Sequence, residues 1–300
     1  MPDSAVHRKV VEIDDVTLRG WPLPLPGDGG KEERGLVLIV AGSPEIPGAA
    51  VLAATAAFRA GAGKVTIATP ASIAQSVAFA VPESRVIALE ERRKGGITAN
   101  AAGALDELAE NVSAVLIGPG LDDRSSTRTL TAALLATFSE AGIILDAAAM
   151  NVAMTGRAHA TPFSRPVLLT PHPGEMAKLT DSDKDSIEVR PEEAALQAAE
   201  KWNAFVVLKG AITHIAAPDQ RLWRHEGGNS GLAISGSGDV LAGIIAGLVA
   251  RGASLEQAAA WGVALHARAG EKLAERFGPL GYLARELAAE VPSLMKRHRP

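Results

Sequence analysis

The 300-residue sequence contains no cysteine, and this absence removes three kinds of chemistry at once. Disulfide bonds, thiolate nucleophiles and cysteine-ligated metals all require that side chain. A chain without cysteine fits the reducing cytoplasm, and a cytoplasmic protein is what we expect. Aromatic residues are also scarce at 4%, and Tyr282 is the single tyrosine. The aromatic content therefore gives no guide to the ligand.

Long apolar runs and a strong net charge are missing as well. The longest charge-free apolar run, from Val240 to Ala250, is shorter than the about 20 residues that cross a bilayer. The N-terminus is polar and has no signal-peptide core, so we expect no membrane association. A net charge of −4 and a pI near 6.0 argue against nucleic acid as a partner. With 47% hydrophobic residues, the chain can bury a large globular core.

The chain divides into a short leading segment and one domain. Residues 1–34 include the extended run from Trp21 to Pro26, and we expect an extended N-terminal arm that crosses the surface or reaches a neighbouring subunit. Residues 35–300 alternate β-branched runs with Ala/Leu-rich segments, which is typical of βαβ units in an α/β fold with a mostly parallel central sheet. The predicted strands are 36–41, 64–69, 114–117, 143–145, 167–170 and 205–209, with a hairpin of 213–217 and 221–225. The predicted helices are 49–60, 101–110, 126–140, 192–202, 238–250, 255–276 and 282–290.

The stretch Gly236-Ser237-Gly238-Asp239 before an apolar helix is the most informative motif. Glycines let the backbone turn tightly and approach a ligand closely. A helix N-terminus collects free amide N–H groups and the positive end of the helix dipole, so it attracts phosphate. Asp239 can cap this helix, or it can act as a general base towards a phosphoryl group held by the same amides.

Other polar residues stand where predicted strands end. His172 lies between two prolines that fix its position, which favours a hydrogen-bonding binder over a catalyst. Glu175 either occupies the first turn of the next helix or helps to hold a divalent cation through water. Lys209 closes an apolar strand and needs an anionic ligand or an acidic neighbour. Because parallel strands present their carboxyl ends at one edge, these residues are expected at one ligand site.

Several common motifs are absent. Gly61-Ala62-Gly63-Lys64 lacks the first glycine and the Ser/Thr of a Walker P-loop, and Gly118-Pro119-Gly120 does not extend to the third glycine of a dinucleotide fingerprint. The sequence contains neither a Gly-x-Ser-x-Gly elbow nor a His-x-x-x-His pair for zinc.

A series of motifs resembles one family in order along about residues 35–290. The motifs are Gly42-Ser43…Gly48-Ala49-Ala50, Arg59-Ala60-Gly61-Ala62-Gly63, Gly118-Pro119-Gly120-Leu121, Leu145-Asp146, Leu169-Thr170-Pro171-His172-Pro173-Gly174-Glu175, Val207-Leu208-Lys209-Gly210 and Gly228-Asn229…Gly236-Ser237-Gly238-Asp239-Val240-Leu241-Ala242-Gly243. They resemble the ADP-dependent NAD(P)H-hydrate dehydratases of the ribokinase-like superfamily. The resemblance implies a three-layer αβα fold with helices on both faces of the sheet. Bifunctional relatives carry an additional epimerase domain, for which this chain has no room, so we expect a stand-alone dehydratase.

The implied reaction is metabolite repair. The S-epimer of hydrated NADH or NADPH is dehydrated at the expense of ADP, giving AMP and phosphate. The resemblance implies that Asp239 is catalytic and that Gly236, Ser237 and Gly238 form the anion hole. It places the nucleotide on Lys209, Gly210, Ala211, Ile212, Thr213 and Gly238, and the hydrated dinucleotide on Ala49, Ala50, Gly120, His172 and Asp239.

The resemblance also implies a metal, a co-substrate and partners, and it shows three departures, of which Ser237 in place of the commoner threonine is the mildest. It implies Mg²⁺, ADP as co-substrate, a homo-oligomer with a tetramer favoured, and a separate NAD(P)H-hydrate epimerase as functional partner. Ile46 stands where many members carry an aromatic residue, which bears on ring stacking. Ala148 replaces the second acid of the usual Leu-Asp-Ala-Asp-Ala-Leu run, which bears on metal binding and rate.

Two alternative functions stay open at this point. A ribokinase-like kinase for a vitamin precursor, hydroxymethylpyrimidine or hydroxyethylthiazole, shares the Gly-x-Gly-Asp helix but is expected to lack the Thr-Pro-His-Pro-Gly-Glu loop. A non-catalytic nucleotide-binding regulator fits the missing acid at Ala148. The sequence decides neither between NADH and NADPH hydrate nor between ADP and ATP.

Overall fold

One mixed sheet organises the molecule. The computed structural model describes residues 10–25, 30–93, 96–154 and 162–296. Within them the strands are β1 (Val10–Glu12), β2 (Leu36–Val40), β3 (Lys64–Pro70), β4 (Arg85–Leu89), β5 (Ala114–Ile117), β6 (Gly142–Leu145), β7 (Val167–Leu169), β8 (Ala204–Leu208), β9 (Ile212–Ala216) and β10 (Leu222–Glu226). Their order across the sheet is β1-β10-β9-β8-β7-β6-β5-β2-β3-β4.

The strand pairings are parallel except around β9. That strand runs antiparallel to both β8 and β10, which confirms the predicted hairpin. The central strands β2 and β5 are apolar and almost wholly buried, because helices cover both faces of the sheet. The order reverses between β2 and β5, and ligands in such sheets bind where the order reverses. The expectation of a three-layer α/β fold with a mostly parallel sheet is thus confirmed.

Helices occupy both faces. They are α1 (Asp15–Gly20), α2 (Gly48–Arg59), α3 (Ala71–Ala80), α4 (Ser125–Thr137), α5 (Pro173–Thr180), α6 (Lys184–Val189), α7 (Pro191–Trp202), α8 (Ser237–Ala250), α9 (Leu255–Phe277) and α10 (Ala284–Lys296). In the described part of the chain, 3-10 helices span Ala99–Leu108, Ala147–Met154 and Ser230–Leu232. Among the described residues, no helix is both long and apolar enough to cross a bilayer.

Helix α8 is apolar on nearly every side because it is buried against α2, α9 and the sheet. Two glycines let α2 approach it closely. A Cβ on Gly243 would lie 2.3 Å from the backbone oxygen of Ala53, and a Cβ on Gly247 would lie 2.5 Å from that of Ala57. Only glycine fits at these two positions, so α2 and α8 lie almost backbone to backbone.

The direction of α8 brings its N-terminus to the functional edge. Its last turn lies at the amino ends of the strands, where a Cβ on Gly142 would meet Val249 at 2.5 Å. The helix therefore runs opposite to the parallel strands, and its first turn, with Asp239, lies at their carboxyl ends. A free helix N-terminus at that edge is the geometry that binds anions.

Several elements differ from the expectations. The predicted helix at 101–110 is instead a 3-10 helix at Ala99–Leu108. The last helix starts at Ala284 rather than 282 and continues past 290 to Lys296, with Pro292 inside it. The elements β1, β4, α1, α3 and α6 had no counterpart in the expectations, and α5 had one only in the alternative that places Glu175 in the first turn of a helix.

The leading segment packs on its own chain over its described residues 10–25. Strand β1 pairs in parallel with β10, and Trp21 stacks on Trp223 with ring centroids 6.2 Å apart. Arg251 donates to the Pro24 carbonyl at 2.8 Å, and Gln257 donates to that of Pro22 at 2.9 Å. The segment we expected as an extended arm thus contains a strand and a helix. Its residues 1–9 and 26–29 lie outside the described part, and a contact with a neighbouring subunit stays a prediction.

Candidate active site

A cavity of about 890 Å³ opens at the carboxyl edge of the sheet, between the start of α8 and the ends of β6 and β8. It gathers most of the residues that the sequence singled out. Those that line it are His172, Glu175, Lys209, Gly210, Ala211, Thr213, Gly236, Ser237, Gly238 and Asp239. A second cavity of about 930 Å³ lies at the opposite edge, around Gly142, Val167 and Phe205, and contains none of them. The chemistry therefore belongs to the first cavity.

Asp239 lies in the first turn of α8 without capping it. Gly236 precedes the helix with a φ of 88°, a left-handed conformation that suits glycine, and no side chain caps this end. The Asp239 carboxyl accepts no hydrogen bond from the described residues. Burial raises the pKa of Asp239 to about 7, with further increases from Asp146 and Glu175 and a partial decrease from Lys209. The cap interpretation loses its support, and a carboxyl suited to proton transfer near neutral pH remains.

Lys209 has the acidic neighbours that its position at a strand end required. Its Nζ lies 3.6 Å from Oδ1 of Asp146 and 3.8 Å from Oε2 of Glu175. Asp146 is buried, and its Oδ1 accepts a hydrogen bond of 2.6 Å from the Thr170 hydroxyl. A Cβ on Gly238 would lie 3.4 Å from the Lys209 Nζ, so the ammonium group lies directly beside the N-terminus of α8.

His172 is the N-cap of α5. Its Nδ1 accepts from the Gly174 and Glu175 amides at 3.1 and 3.3 Å, and Glu175 Oε2 accepts from the His172 amide at 2.9 Å. This reciprocal capping confirms the first-turn position of Glu175. Because Nδ1 accepts, the hydrogen of the neutral ring is on Nε2. The half-exposed imidazole can still donate that hydrogen to a ligand.

Three residues expected on the dinucleotide side lie outside this cavity, at the point where the strand order reverses. Ala49 and Ala50 are buried in the first turn of α2, and Ala50 belongs to the hydrophobic core. A Cβ on Gly120 would lie 2.7 Å from the Ala49 Cβ and 2.8 Å from the Ile46 carbonyl oxygen. The α2 and Gly120 backbones are therefore adjacent, as one binding surface requires, but the two alanines offer backbone rather than side-chain contacts. On the nucleotide side, Ile212 is likewise absent from the cavity lining.

The cavity also contains residues for which the sequence predicts no role in binding or catalysis. Asp146, His225, Asn229 and His266 line it from four separate elements of the chain. Asp146 follows β6 directly, so its place at a strand end was a usable signal. His266 lies in the middle of an apolar stretch of α9, and nothing local distinguishes it from a core residue.

A magnesium ion fits this site only as a companion of phosphate. Among the described residues, no group of three or more His, Asp or Glu side chains is arranged to hold an ion. Asp146, Glu175 and Asp239 nevertheless provide hard oxygen donors against the single charge of Lys209. Mg²⁺ is commonly held by one or two carboxylates together with substrate phosphates and water. The residues present suit that arrangement rather than a cage built by the protein alone.

Comparisons with known proteins agree with the motifs. Residues 37–293 match the family model described as NAD(P)H-hydrate dehydratase. The chain is 46% identical over 291 residues to the ADP-dependent (S)-NAD(P)H-hydrate dehydratase of Xanthomonas campestris, covering 96% of this chain and 97% of that protein. It is 39% identical over 268 residues to the bifunctional NAD(P)H-hydrate repair enzyme of Moorella thermoacetica, covering 89% of this chain but 50% of that protein.

A solved structure shows the same similarity in three dimensions. The ADP/ATP-dependent NAD(P)H-hydrate dehydratase of Bacillus subtilis, crystallised with ATP and Mg²⁺, superposes with a TM-score of 0.85 at 29% identity. The match covers 98% of this chain and 100% of that one. The chain thus spans the whole of this single-function relative and about half of the bifunctional one.

Proposed function

The chain belongs to the NAD(P)H-hydrate dehydratase family, and from that premise we propose how its cavity performs the reaction. The protein is an ADP-dependent NAD(P)H-hydrate dehydratase, a carbon–oxygen lyase. It returns the S-epimer of hydrated NADH or NADPH to NADH or NADPH and releases AMP and phosphate. Its substrates are small nucleotides.

The reaction needs a better leaving group than hydroxide. The hydroxyl oxygen of the hydrated ring attacks the β-phosphorus of ADP, the bond from that phosphorus to the AMP oxygen breaks, and AMP leaves. Asp239 accepts the proton of the attacking hydroxyl. Elimination then breaks a neighbouring carbon–hydrogen bond, whose electron pair restores the ring double bond and whose proton passes to water, and the carbon–oxygen bond, whose electron pair leaves with the phosphate. A pKa near 7 places Asp239 close to the pH at which a base works best.

The charge of the transferred phosphoryl group falls on the start of α8. The amides of Gly236, Ser237 and Gly238 form the anion hole at the helix N-terminus. Lys209, beside Gly238, supplies a positive charge at the same point. Positioning and electrostatic stabilisation provide most of the catalysis in phosphoryl transfer.

The two substrates approach from neighbouring parts of the carboxyl edge. ADP lies along Lys209, Gly210, Ala211, Ile212, Thr213 and Gly238, at the side of the cavity formed by β8 and β9. The hydrated dinucleotide lies at the reversal of strand order, against the backbones of Ala49, Ala50 and Gly120, with His172 as donor. Asp239 contacts the dinucleotide where the two meet.

Magnesium enters with the nucleotide. Asp146, Glu175 and Asp239 carry more negative charge than Lys209 neutralises, so an anionic nucleotide alone meets repulsion. When bound, Mg²⁺ supplies neutralisation of the phosphate charge. Glu175 and Asp146 are the residues that would hold it, through water or directly. Neither side chain depends on an acid at position 148, so Ala148 is compatible with this arrangement.

The observation that best supports this function is the position of the Asp239 carboxyl beside the α8 amides and Lys209. Its pKa is raised, and it does not cap the helix. A regulator that only binds nucleotide has no use for such a base. A vitamin-precursor kinase would use the same helix, but the relative at 46% identity bears the dehydratase name. We further propose that the protein is a cytoplasmic homo-oligomer. We also propose that it works with a separate NAD(P)H-hydrate epimerase, because bifunctional relatives join two repair activities in one chain.

The test is absorbance at 340 nm with hydrated NADH and either ADP or ATP, run side by side with phosphate release. We expect NADH and phosphate to appear together with ADP, and more slowly with ATP. Hydroxymethylpyrimidine and hydroxyethylthiazole with ATP serve as controls and should remain unphosphorylated. Phosphorylation of either vitamin precursor without NADH formation would establish the kinase instead. Nucleotide binding without any phosphate release would establish the regulator.

A further inference from the structure

One face of α9 lies directly against the segment that leads into α8. Gly262, His266 and Gly270 follow one another at four-residue intervals along this face. A Cβ on Gly262 would lie 2.5 Å from Ile245 of α8, and a Cβ on Gly270 would lie 2.7 Å from Leu232. The two glycines therefore bring the backbone of α9 close enough for the side chain between them to reach the cavity.

That side chain is His266, and it contacts Ser237 twice. Its Nε2 lies 3.0 Å from the Ser237 hydroxyl oxygen and 3.1 Å from the Ser237 carbonyl oxygen. A carbonyl can only accept, so Nε2 carries the hydrogen and donates it. Burial lowers the pKa of His266 to about 4, so the ring is neutral at physiological pH. The proposed mechanism gives this buried imidazole no task.

The geometry of the peptide bond links His266 to the anion hole. The Ser237 carbonyl and the Gly238 N–H belong to the same planar peptide unit and point in opposite directions. Fixing the carbonyl towards His266 therefore fixes the direction of the Gly238 N–H, at the point where Lys209 also lies. In the first turn of a helix this N–H has no carbonyl partner within the helix, so it is free for a ligand.

The same helix holds the other end of the segment. The Gly228 amide donates a hydrogen bond of 2.7 Å to Oε1 of Glu271, which follows Gly270 on α9. The segment from Gly228 to Ser237 is thus attached to α9 at both ends by side chains of one helix. A helix that is buried over most of its length provides a rigid support for such a segment.

We propose that His266 is a positioning residue that orients the Ser237–Gly238 peptide, and so the anion hole, towards the transferred phosphoryl group. This inference rests on the proposed function for the identity of that group. It concerns the β-phosphate of ADP, which AMP lacks. Loss of the imidazole should therefore affect ADP and leave AMP unaffected.

The experiment compares H266L with H266Q, whose amide N–H can replace the Nε2 donor. In H266L we expect kcat/KM for ADP to fall about 10-fold or more. This is less than the usual loss on removing one oxyanion donor, because the Gly238 N–H itself remains. Calorimetry should show weaker ADP binding and AMP binding within about twofold of wild type. H266Q should recover kcat/KM to within about threefold of wild type.

The matched control is H214L, which removes another buried histidine. His214 lies on β9 beside Glu192 of α7 and does not line the cavity. The H214L variant should keep the wild-type kinetic constants, even if its melting temperature changes. Equal losses in H266L and H266Q would overturn the proposal, as would a parallel fall in ADP and AMP affinity or an unaffected H266L.

A measurement on the wild-type protein covers the case in which H266L does not fold. Nitrogen-15 NMR of the imidazoles should show His266 neutral, with its hydrogen on Nε2, and its signal should shift with ADP more than with AMP. An Nδ1–H ring, or equal shifts with both nucleotides, would refute the assignment. If the wild-type protein forms no NADH, the proposed function fails, while the contrast between ADP and AMP still decides the role of His266.

Discussion

A partly buried carboxyl close to two other acids is costly in its charged form, and Asp239 is such a group. Burial is the largest cause of its raised pKa, and Asp146 and Glu175 add to it. Lys209 opposes these effects but is shared among the acids at 3.6 to 3.8 Å from Asp146 and Glu175. The site therefore keeps a proton on Asp239 until the pH approaches about 7 or a cation arrives with the nucleotide.

The first prediction concerns the base itself. Wild-type kcat/KM for hydrated NADH should rise about tenfold per pH unit below pH 7 and level off above it, because the base must be unprotonated. D239N should turn over at least about 10²-fold more slowly and lose this pH dependence, while still binding ADP. D185N, which changes an exposed first-turn acid of α6, should keep the wild-type profile. A D239N enzyme with full turnover would show that the carboxyl is not the base.

The same substitution has a consequence for stability. Asp239 has a higher pKa in the folded than in the unfolded chain, so folding binds a proton between about pH 4 and 7. Its contribution to stability is therefore lost as pH rises through that window. The free energy that corresponds to the pKa shift is reduced because solvent reaches the carboxyl. Removal of the charge by D239N should therefore stabilise the protein by about 1–3 kcal/mol at pH 8. Little gain is expected at pH 4, and melting curves at the two pH values provide the check.

The functional role of a single residue could be predicted from the sequence where its position in an element was sufficient to indicate that role. Lys209 at the end of an apolar strand required a partner, and Asp146 and Glu175 supply it. Asp239 at a glycine-rich helix start was identifiable in the same way. The role of His266 was not identifiable, because the sequence of an apolar helix face is the same whether its one polar residue contacts a backbone group or only fills space in the core. Its role depends on how closely α9 approaches Ser237, which is a matter of packing.

Among the elements, the apolar parallel strands were predictable and the capped short helices were not. The strand at 114–117 has the predicted limits, because a short apolar run between polar turns indicates a buried strand. Helix α5 was anticipated only as one of two interpretations of Glu175, since its N-cap is a histidine, outside the residues that usually fill this position. The helix expected at 101–110 winds as a 3-10 helix instead, and Gly103 within it weakens the preference for an α-helix.

The close contact of α2 with α8 sets the distance between the two proposed half-sites. The first turn of α2 lies on the dinucleotide side, and that of α8 carries Asp239. Because Gly243 and Gly247 leave no gap between the two backbones, the separation of the two helix starts is fixed by packing. Anything that moves the helices apart also moves the reacting groups apart.

The third prediction tests this contact with G243A. Replacing a helical glycine by alanine normally stabilises by up to about 1 kcal/mol. Here the new Cβ would lie 2.3 Å from the Ala53 carbonyl oxygen, and relieving such overlap costs about 1–3 kcal/mol or more. We expect a net loss of stability in urea and a fall in kcat/KM. G20A, at the end of α1 with nothing within 4 Å, is the control and should be neutral or slightly stabilising. A stabilised, fully active G243A would disprove the packing argument.

For the whole molecule, the sheet has two edges of different character. One ends at β4, and the other would end at β10 if β1 did not extend it. The leading segment adds β1 there and then runs along α9, where Trp261 and Gln257 donate to the Trp21 carbonyl. The sequence indicated a segment of different composition but not its course. A three-residue strand is too short to show a periodicity, and its pairing partner lies more than 200 residues away.

The last prediction separates a role of this segment in folding from a role in assembly. Trp21 packs on Trp223 within the same chain, whereas Leu25 is largely exposed, at 64%. W21A should therefore lower the free energy of unfolding by about 2–3 kcal/mol, since it removes an aromatic side chain from partly buried packing. Light scattering should give an unchanged particle mass for W21A, because the lost contact is internal.

L25A is the matched partner of W21A in this test. An exposed apolar side chain contributes little to the stability of a single chain, so its loss should change the free energy of unfolding by less than about 0.5 kcal/mol. If the segment also reaches a neighbouring subunit, as the sequence predicts, L25A lowers the particle mass at a concentration where the wild-type protein is assembled. An L25A protein with wild-type mass, beside a destabilised W21A, would assign the described part of the segment to folding alone.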